Sequence, residues 1–298
     1  QAAVIALHVN TDLLVLGTWS LDPIAWVLVP LLGLLYARGM ARSQGSRRRT
    51  HPRWRPACYY AGLLALFLAL ASPLDHLADE LFMAHMSQHF LLVTVAAPLL
   101  LLGAPMIPVL RGVPVGLRRG LVIPVLKNRG VRGLLRFAAR PLVAWPLYVA
   151  LLLLWHVPGA YEAALRSVPL HLIQHVAFFG AALAWWWNVI DPVPLRPNLS
   201  YLARVPFVFI TTVPIFVLGA FLTFAPSASY RFYADLPARP GLPALEDQQL
   251  GGIIMWIPGS MVLMAALLTV LVLAIRAEER QRRVSEAALP PVQMGPRR

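Results

Sequence analysis

The chain has 298 residues, of which 58% are hydrophobic and 13% are charged, and its mean hydropathy is +0.65. An average soluble domain has about 25% charged residues, so this composition excludes an ordinary soluble protein and indicates a polytopic membrane protein. The single cysteine, Cys58, excludes an intramolecular disulfide and a thiolate metal cluster within one chain. Imidazole, thioether and carboxylate groups remain as the available metal ligands.

Seven apolar runs predict an all-α fold with seven transmembrane helices. The predicted spans are residues 21–36, 56–71, a third that begins at 81 and is kinked or ended by Pro98, Pro105 and Pro108, and then 141–156, 170–190, 205–224 and 250–275. Residues 1–20 are predicted to form an extracytoplasmic N-terminal segment, 21–275 the transmembrane domain, and 276–298 a basic cytoplasmic tail.

Residues 111–140 interrupt this apolar pattern with eight Lys and Arg side chains among Leu, Val and Ile. Such alternation is typical of amphipathic helices on a membrane surface, so this cytoplasmic connection is expected to contact membrane lipids. Three tryptophans, Trp185, Trp186 and Trp187, end the fifth span and are expected to lie in an interfacial aromatic belt.

Basic residues are distributed unevenly between the two sides of the predicted bundle. With seven spans, 23 of the 26 Lys and Arg residues fall on one side, and only Arg166, Arg231 and Arg239 fall on the other. The positive-inside rule therefore predicts a cytoplasmic C-terminus and an N-terminus outside. This topology also accounts for the net charge of +13, so the charge gives no reason to expect a nucleic-acid partner.

A short motif occurs twice: HMSQH, residues 85–89, opens the third span, and HLIQH, residues 171–175, opens the fifth. Positions i and i+4 of a helix lie on one face, so each copy presents two imidazoles in one direction. Because polar side chains at the edge of a span are costly without partners, the pairs indicate a metal or cofactor site. Its expected ligands are His85, His89, His171 and His175.

The predicted topology places further candidates at the same outer end of the bundle. His156 ends the fourth span there, and Gln88 and Gln174 are expected to orient an imidazole from behind each pair. Additional ligands could come from Met86, Met255 and Asp247. Methionines in a span most often pack, however, and an Asp at a helix start is equally explained as an N-cap. The remaining histidines are expected to be surface residues: His8, His51 and His76.

Several longer stretches carry a resemblance to a known family. They are SPLDHLADELFMAHMSQHFLLVTVAAPLLLLGAP at 72–105, WHVPGAYEAALRSVPLHLIQHVAFF at 155–179, LGAFLTFA at 218–225 and DQQLGGIIMWIPGSMV at 247–262. Over roughly residues 63–275 the chain resembles the polytopic CtaG family of cytochrome c oxidase assembly factors. The positions that match the family are His85, Gln88, His89, His156, His171, His175, Asp247, Gln248, Gln249 and Met255.

The resemblance implies a multi-pass protein of the bacterial cytoplasmic membrane that supports copper insertion into a haem-copper oxidase. Its implied partners are the oxidase subunits and a periplasmic copper donor. The expectation that the metal is copper, as Cu(I), depends on this resemblance and on the available thioethers, since neutral imidazole suits copper and zinc alike. The family often has Glu where Gln174 stands, so the site here is more neutral.

Two other functions remain open from the residues themselves. One is a membrane electron carrier with bis-His haem, in which one histidine of each pair would be an axial ligand. The other is a zinc hydrolase, which ranks last because the sequence contains no HExxH motif. No catalytic motif is recognised, so enzymatic activity is not expected.

One ion shared between the two histidine pairs is the favoured arrangement, because two imidazoles rarely complete a metal site. The alternative is one ion per pair, completed by His156 or Met86. The Pro-rich loop between the sixth and seventh spans is expected to be a linker, with a lid over the histidines or a docking surface for the oxidase as alternatives.

The charge distribution gives a testable topology. A reporter fused after Arg298 should be active in the cytoplasm, and one inserted near Ala238 should be active in the periplasm. Paired reporter fusions in a bacterial host measure this directly. Two reporters on the same side would contradict both the seven-span topology and the convergence of the histidines.

Overall fold

Long apolar helices dominate the computed structural model, which describes residues 19–42, 52–191, 193–194, 199–236 and 242–287. Within these residues six helices are long and apolar enough to cross a membrane. They are Ile24–Ala41 (α1), Trp54–Ala71 (α2), Phe82–Leu102 (α4), Val168–Val189 (α10), Tyr201–Thr223 (α11) and Ala244–Ala287 (α13). The shorter helices between them are Pro73–Ala78 (α3), Met106–Gly112 (α5), residues 115–127 (α6), Arg129–Ala138 (α7), Pro141–His156 (α8), Pro158–Leu165 (α9) and Arg231–Ala234 (α12).

The fourth predicted span is the helix α8, which has only 16 residues. It reaches the length of a span only together with α7, from which it turns by 71°. The bend follows from Pro141 at the start of α8, because proline disfavours a helical residue before it, and Arg140 is extended. The fold therefore has six candidate spans, or seven when this bent pair is counted as one.

The prolines of the third span act as predicted, since a π-helical segment at Leu91–Ala96 precedes Pro98 and α4 ends at Leu102, before Pro105. One predicted boundary differs from the structure. The final helix extends to Ala287, so the predicted tail at 276–298 begins as a continuation of α13. The predicted N-terminal segment lies outside the described residues apart from its last two.

Two of the three tryptophans predicted to form an interfacial belt at the end of α10 are buried instead, and Trp187 is half-buried. Trp185 and Trp186 are 1% and 4% exposed and lie inside the bundle. Their indole N–H groups donate to the Thr211 hydroxyl at 3.1 Å and to the Val93 carbonyl at 2.9 Å. Because a buried indole is stable once its N–H has an acceptor, these side chains fill the core and tie α10 to α4 and α11.

The basic connection between residues 111 and 140 largely forms the helices α6 and α7. No side chain of α7 is buried, and its apolar residues Leu134, Leu135 and Phe137 are more than half exposed. Alternation of these residues with Arg132 and Arg136 agrees with the predicted amphipathic character. Contact of this surface with lipid headgroups stays a prediction.

Glycines allow the closest helix crossings in the bundle. A Cβ on Gly39 of α1 would stand 1.7 Å from the Pro108 carbonyl oxygen, and one on Gly112 would stand 1.9 Å from that of Leu35. Gly251 of α13 is equally constrained, since its Cβ would lie 2.3 Å from the ring of Phe82 on α4. Small residues at such crossings let helix backbones approach within a membrane. Gly251 therefore sets the distance between α13 and the helix that carries the first histidine pair.

The Gly251→Ala substitution should destabilise the protein by about 1–3 kcal/mol, because Phe82 must move to admit the methyl group. Thermal unfolding of the purified protein in detergent measures the change. Gly180→Ala on α10 is the matched control, since its Cβ would meet nothing within 4 Å. Equal melting temperatures for the two variants would show that the α4–α13 crossing is not tight.

Candidate metal centre

Five histidines meet at one end of the bundle, called here the histidine end. His85 and His89 lie in the first turns of α4, and His171 and His175 lie in the first turns of α10. His156 is the last residue of α8, which runs in the opposite direction to α10. The starts of α4 and α10 and the end of α8 are therefore close together, as the alternating topology predicts.

The rings of the two pairs face each other. Within each helix the ring centroids are 4.4 Å apart for His85 and His89 and 4.3 Å apart for His171 and His175. Between the helices, His85 stacks on His171 at 5.2 Å, and His89 meets His175 edge-on at 5.3 Å. The convergence that the sequence predicts for the two pairs is present in the structure.

Three of these side chains form a group with metal-site spacing. One nitrogen from each of His85, His89 and His175 lies within 4.8 Å of the other two. An ion bound by imidazole at about 2.0–2.1 Å needs these nitrogens about 3.5 Å apart. His171 lies beside the group through its contacts with His85 and His175.

Unpartnered nitrogen atoms distinguish these histidines from ordinary buried ones. The Nε2 atoms of all five are buried and have no hydrogen-bond partner among the described residues, and neither does Nδ1 of His89. His85 is fully buried, and His89 and His156 are 8% and 7% exposed. An unsatisfied buried polar atom costs about 1–3 kcal/mol. The donor set fits a metal ion, because one ion can satisfy several bare imidazole nitrogens at once.

Hydrogen bonds at Nδ1 determine the tautomers of two rings. His156 Nδ1 lies 2.6 Å from the Leu152 carbonyl oxygen, which can only accept, so Nδ1 carries the proton. Tyr233 donates its hydroxyl proton to the Ala78 carbonyl at 2.9 Å, and at 3.3 Å it therefore accepts from His85 Nδ1. In both rings Nε2 is left with a free lone pair, as a metal ligand requires.

Asp247 is a cap and not a ligand in this structure. Its carboxylate is 2% exposed and accepts the backbone N–H groups of Phe82 at 2.7 Å and Met83 at 3.0 Å. These are the first two residues of α4, so a side chain from α13 caps the helix that carries His85 and His89. A carboxylate at a helix N-terminus satisfies free amides and complements the helix dipole.

Gln88 does not orient an imidazole as predicted. Gln88 Nε2 donates to the Ala69 carbonyl at 2.8 Å and to Asp75 at 2.7 Å, and its Oε1 has no partner. Gln174 is 1% exposed, and its Oε1 also has no partner among the described residues. The amide of Gln88 is used instead to hold the corner between α2 and α3 against α4.

The neighbouring glutamines of α13 hold the preceding loop. Gln248 is 2% exposed and accepts the backbone N–H of Ser229 at 2.6 Å. Gln249 donates to the Ala225 carbonyl at 3.4 Å. Together with the Asp247 cap, the three polar residues that match the family pattern fix the loop and α4 to the start of α13.

The loop before α13 covers the histidines, so the expectation of a simple linker is wrong for its described part. Tyr230 and Tyr233 are 2% and 7% exposed, and Tyr230 donates to the His156 carbonyl at 3.0 Å. Tyr233 bonds to His85, and Tyr161 of α9 lies 3.2 Å from the Tyr233 hydroxyl. Burial raises the pKa of Tyr230 and Tyr233 above the usual range, so both phenols stay protonated at neutral pH.

Sequence reasoning missed these three tyrosines. The available signal was the group of aromatic residues at 230–233 inside a Pro-rich loop, together with Tyr161 in the second family stretch. Aromatic residues in an exposed linker would be unfavourable, so their presence there indicates a covered surface. Their positions show that this part of the loop is a lid over the site.

Carboxyl groups lie at the rim of the site and not within it. Asp75 of α3 accepts the Gln88 amide, and its electrostatic interaction with His171 shows that the two lie near each other. Burial raises the pKa of Asp75, opposed by its hydrogen bonds with Ser20 and Gln88. His76 is half exposed and pairs with Glu80 at 3.5 Å, so it is a surface residue as predicted. His8 and His51 lie outside the described residues.

A cavity adjoins the histidines on the side of the bundle interior. Its volume is about 60 Å³, and its lining includes His89, His156, Met86 and Met255. Met86 and Met255 therefore face a space that adjoins the His85–His89–His175 group at His89. The remaining lining is mostly apolar and includes Phe178, Trp185 and Leu263.

Comparison with known proteins agrees with the sequence resemblance. The family model described as cytochrome c oxidase caa3 assembly factor matches residues 34–277. Uncharacterised proteins of Mycobacterium bovis and Mycobacterium tuberculosis are each 25% identical over 281 residues, covering 91% of this chain and 41% of each relative. One of Mycobacterium leprae is 26% identical over 249 residues, covering 80% and 36%. The chain thus spans less than half the length of these relatives, and no solved structure matches it.

Removing the Asp247 carboxylate should loosen the start of α4. We expect Asp247→Ala to cost about 1–2 kcal/mol of stability, because two buried amides lose their acceptor. Hydrogen exchange should accelerate at the amides of Phe82 and Met83, measured by mass spectrometry on the detergent-solubilised protein. The exposed neighbour Glu246→Ala is the matched control and should change neither quantity. Unchanged exchange in the Asp247 variant would disprove the capping role.

Proposed function

This chain is a member of the cytochrome c oxidase caa3 assembly factor family, and we propose that it binds copper and supports its insertion into a haem-copper oxidase. The observation that carries the proposal is a cluster of five histidines whose buried Nε2 atoms have no hydrogen-bond partner among the described residues. One ring nitrogen from each of His85, His89 and His175 lies within 4.8 Å of the other two. Copper is here the cargo of the protein. His171 stands at the edge of this group and can replace a ligand during entry or release of the ion.

Neutrality of the donor set favours Cu(I) over divalent ions. The carboxylate of Asp247 is used as a helix cap, and Gln174 stands where the family often has Glu. Without a carboxylate ligand, no negative charge compensates the charge of a buried ion. A monovalent ion is therefore less costly to bury in this site than a divalent one. Zinc, which accepts imidazole equally well, is therefore the weaker candidate.

Haem is also a weaker candidate than copper. The imidazole rings contact each other directly, and the cavity beside them has a volume of about 60 Å³. Sites for organic ligands have volumes of about 300–1,000 Å³. A macrocycle between the pairs would have to separate rings that now lie 5.2 and 5.3 Å apart. An absent Soret band in protein purified from cells with haem would agree with copper, and a bound haem would overturn this choice.

The location follows from the orientation predicted by the positive charges. With the basic connections in the cytoplasm of a bacterial cell, the histidine end faces the outside, where a periplasmic donor can deliver copper. The oxidase subunits would then receive the ion at the same face. The lid formed by Tyr230 and Tyr233 must move for the ion to pass, because it covers His85 and His156.

Substitution of the histidines tests this function. With one molar equivalent of Cu(I) supplied in competition with a chelator, His89→Ala and His175→Ala should each weaken binding at least tenfold. The double variant should be little worse, because members of one site are not additive. His76→Ala is the matched control on the surface and should bind as the wild type does.

The same variants should lower the copper content of the oxidase in cells, measured by mass spectrometry of the purified oxidase. Full Cu(I) affinity in the double variant would show that His89 and His175 have a structural role and would refute the proposed site. Normal oxidase copper in cells that carry the double variant would refute the role in insertion.

A further inference from the structure

We propose that the cavity beside the histidine group is a second site, for a soft monovalent ion, with His156, Met86 and Met255 as its ligands. This inference extends the proposed copper function and rests on it in one respect: the first ion occupies the His85–His89–His175 group. The second site lies beside the first, since His89 also lines this cavity, and its ligands are one imidazole and two thioethers.

His156 belongs to this cavity more closely than to the histidine group. It is not among the three histidines with mutual metal-site spacing, but it lines the cavity with His89. Its ring is 7% exposed, and Nδ1 is held by the Leu152 carbonyl. The buried Nε2 on the opposite side of the ring has a lone pair and no partner among the described residues. This atom supplies a fixed nitrogen ligand.

The two methionines are brought together by the tight crossing of α4 and α13. Met86 is 3% exposed, and a Cβ on Gly251 would lie 3.2 Å from its Cγ. Met255 follows Gly251 by one turn on α13, so its side chain leaves the same helix face. Both side chains line the cavity, and the flexibility of methionine lets each thioether turn toward a bound ion.

The chemistry of these ligands selects the ion. Thioethers are soft donors that favour Cu(I), whereas zinc and other harder divalent ions prefer imidazole and carboxylate. No Asp or Glu lines the cavity, so nothing there compensates a second positive charge. The cavity of about 60 Å³ has room for one ion or a few waters but is small for an organic ligand.

The position of the cavity suggests a place in copper transfer. Its lining continues from His89 to Val93 along α4 and from Phe178 to Trp185 along α10, which leads away from the histidine end. Trp185 is ten residues beyond His175, or about 15 Å along the helix axis. Because His89 belongs to the first group and also lines the cavity, an ion released by the first site can pass directly to the thioethers.

Silver provides a direct test, because Ag(I) has the charge and softness of Cu(I) and is not oxidised. Equilibrium dialysis of the full chain in detergent should show two Ag(I) ions per chain in the wild type. The double variant Met86→Leu with Met255→Leu should retain one ion, with the affinity for the second lowered at least tenfold. Leu for Met conserves volume, so the bundle is expected to fold. Met264→Leu, at an exposed position of α13, is the matched control and should retain two ions.

A second measurement separates this inference from the proposed function. X-ray absorption of Cu(I)-loaded protein should show sulfur scattering in the wild type and only nitrogen scattering in the double methionine variant. One ion in the wild type that depends on His175 but not on the methionines would overturn the second site and leave the proposed function intact. No bound ion in the wild type would overturn both. Two ions or sulfur scattering in the methionine variant would show that these thioethers are not the ligands.

Discussion

The contact between the first turns of α13 and α4 is the interaction on which the rest of the site depends. The Asp247 carboxylate binds the first two amides of α4, and Gly251 lets Phe82 and Met86 pack directly on α13. A helix end buried without acceptors would be costly, so the capped end fixes the depth at which α4 begins. His85, Met86 and His89 follow within two turns and take their positions from it.

Burial of neutral imidazoles is the second constraint on the site. The histidines sit among apolar and aromatic side chains, and a charged ring would lose its hydration without gaining an acid partner. The Nδ1 hydrogen bonds of His85 and His156 go to protein oxygens, which leaves a lone pair on each Nε2. A neutral donor set of this kind would favour an ion of low charge both in the proposed histidine site and in the proposed thioether site.

The lid lies between the proposed copper site and the outside of the bundle. Tyr230 and Tyr233 belong to a loop whose preceding residues, Ala225 and Ser229, are held by hydrogen bonds to Gln249 and Gln248 of α13. Its inner hydrogen bonds go to His85 and to the His156 carbonyl, so displacement of the loop would uncover the imidazoles and remove the acceptor of the His85 Nδ1–H group. A partner protein that binds this loop would thereby change the surroundings of the proposed copper ligands.

Several features were determined by the sequence alone, because each depends on local pattern. Apolar runs fix the spanning helices, the uneven Lys and Arg predict the orientation, and the i,i+4 spacing puts His85 with His89 and His171 with His175. The family resemblance follows from the same stretches. Even the facing of the two pairs could be predicted, since alternating spans bring the starts of α4 and α10 to one end.

Tertiary structure decided the roles that depend on residues distant in sequence. Asp247 caps α4 in the structure. Sequence analysis could not find this role, because the amides that Asp247 binds are more than 160 residues away along the chain. Gln88 bonds to the α2–α3 corner, Trp185 and Trp186 have acceptors in the core, and His156 lines a cavity together with His89. Hydrogen bonds and close packing between distant segments choose the partner of each polar group, and a linear pattern of residues contains no distances from which that choice could be made.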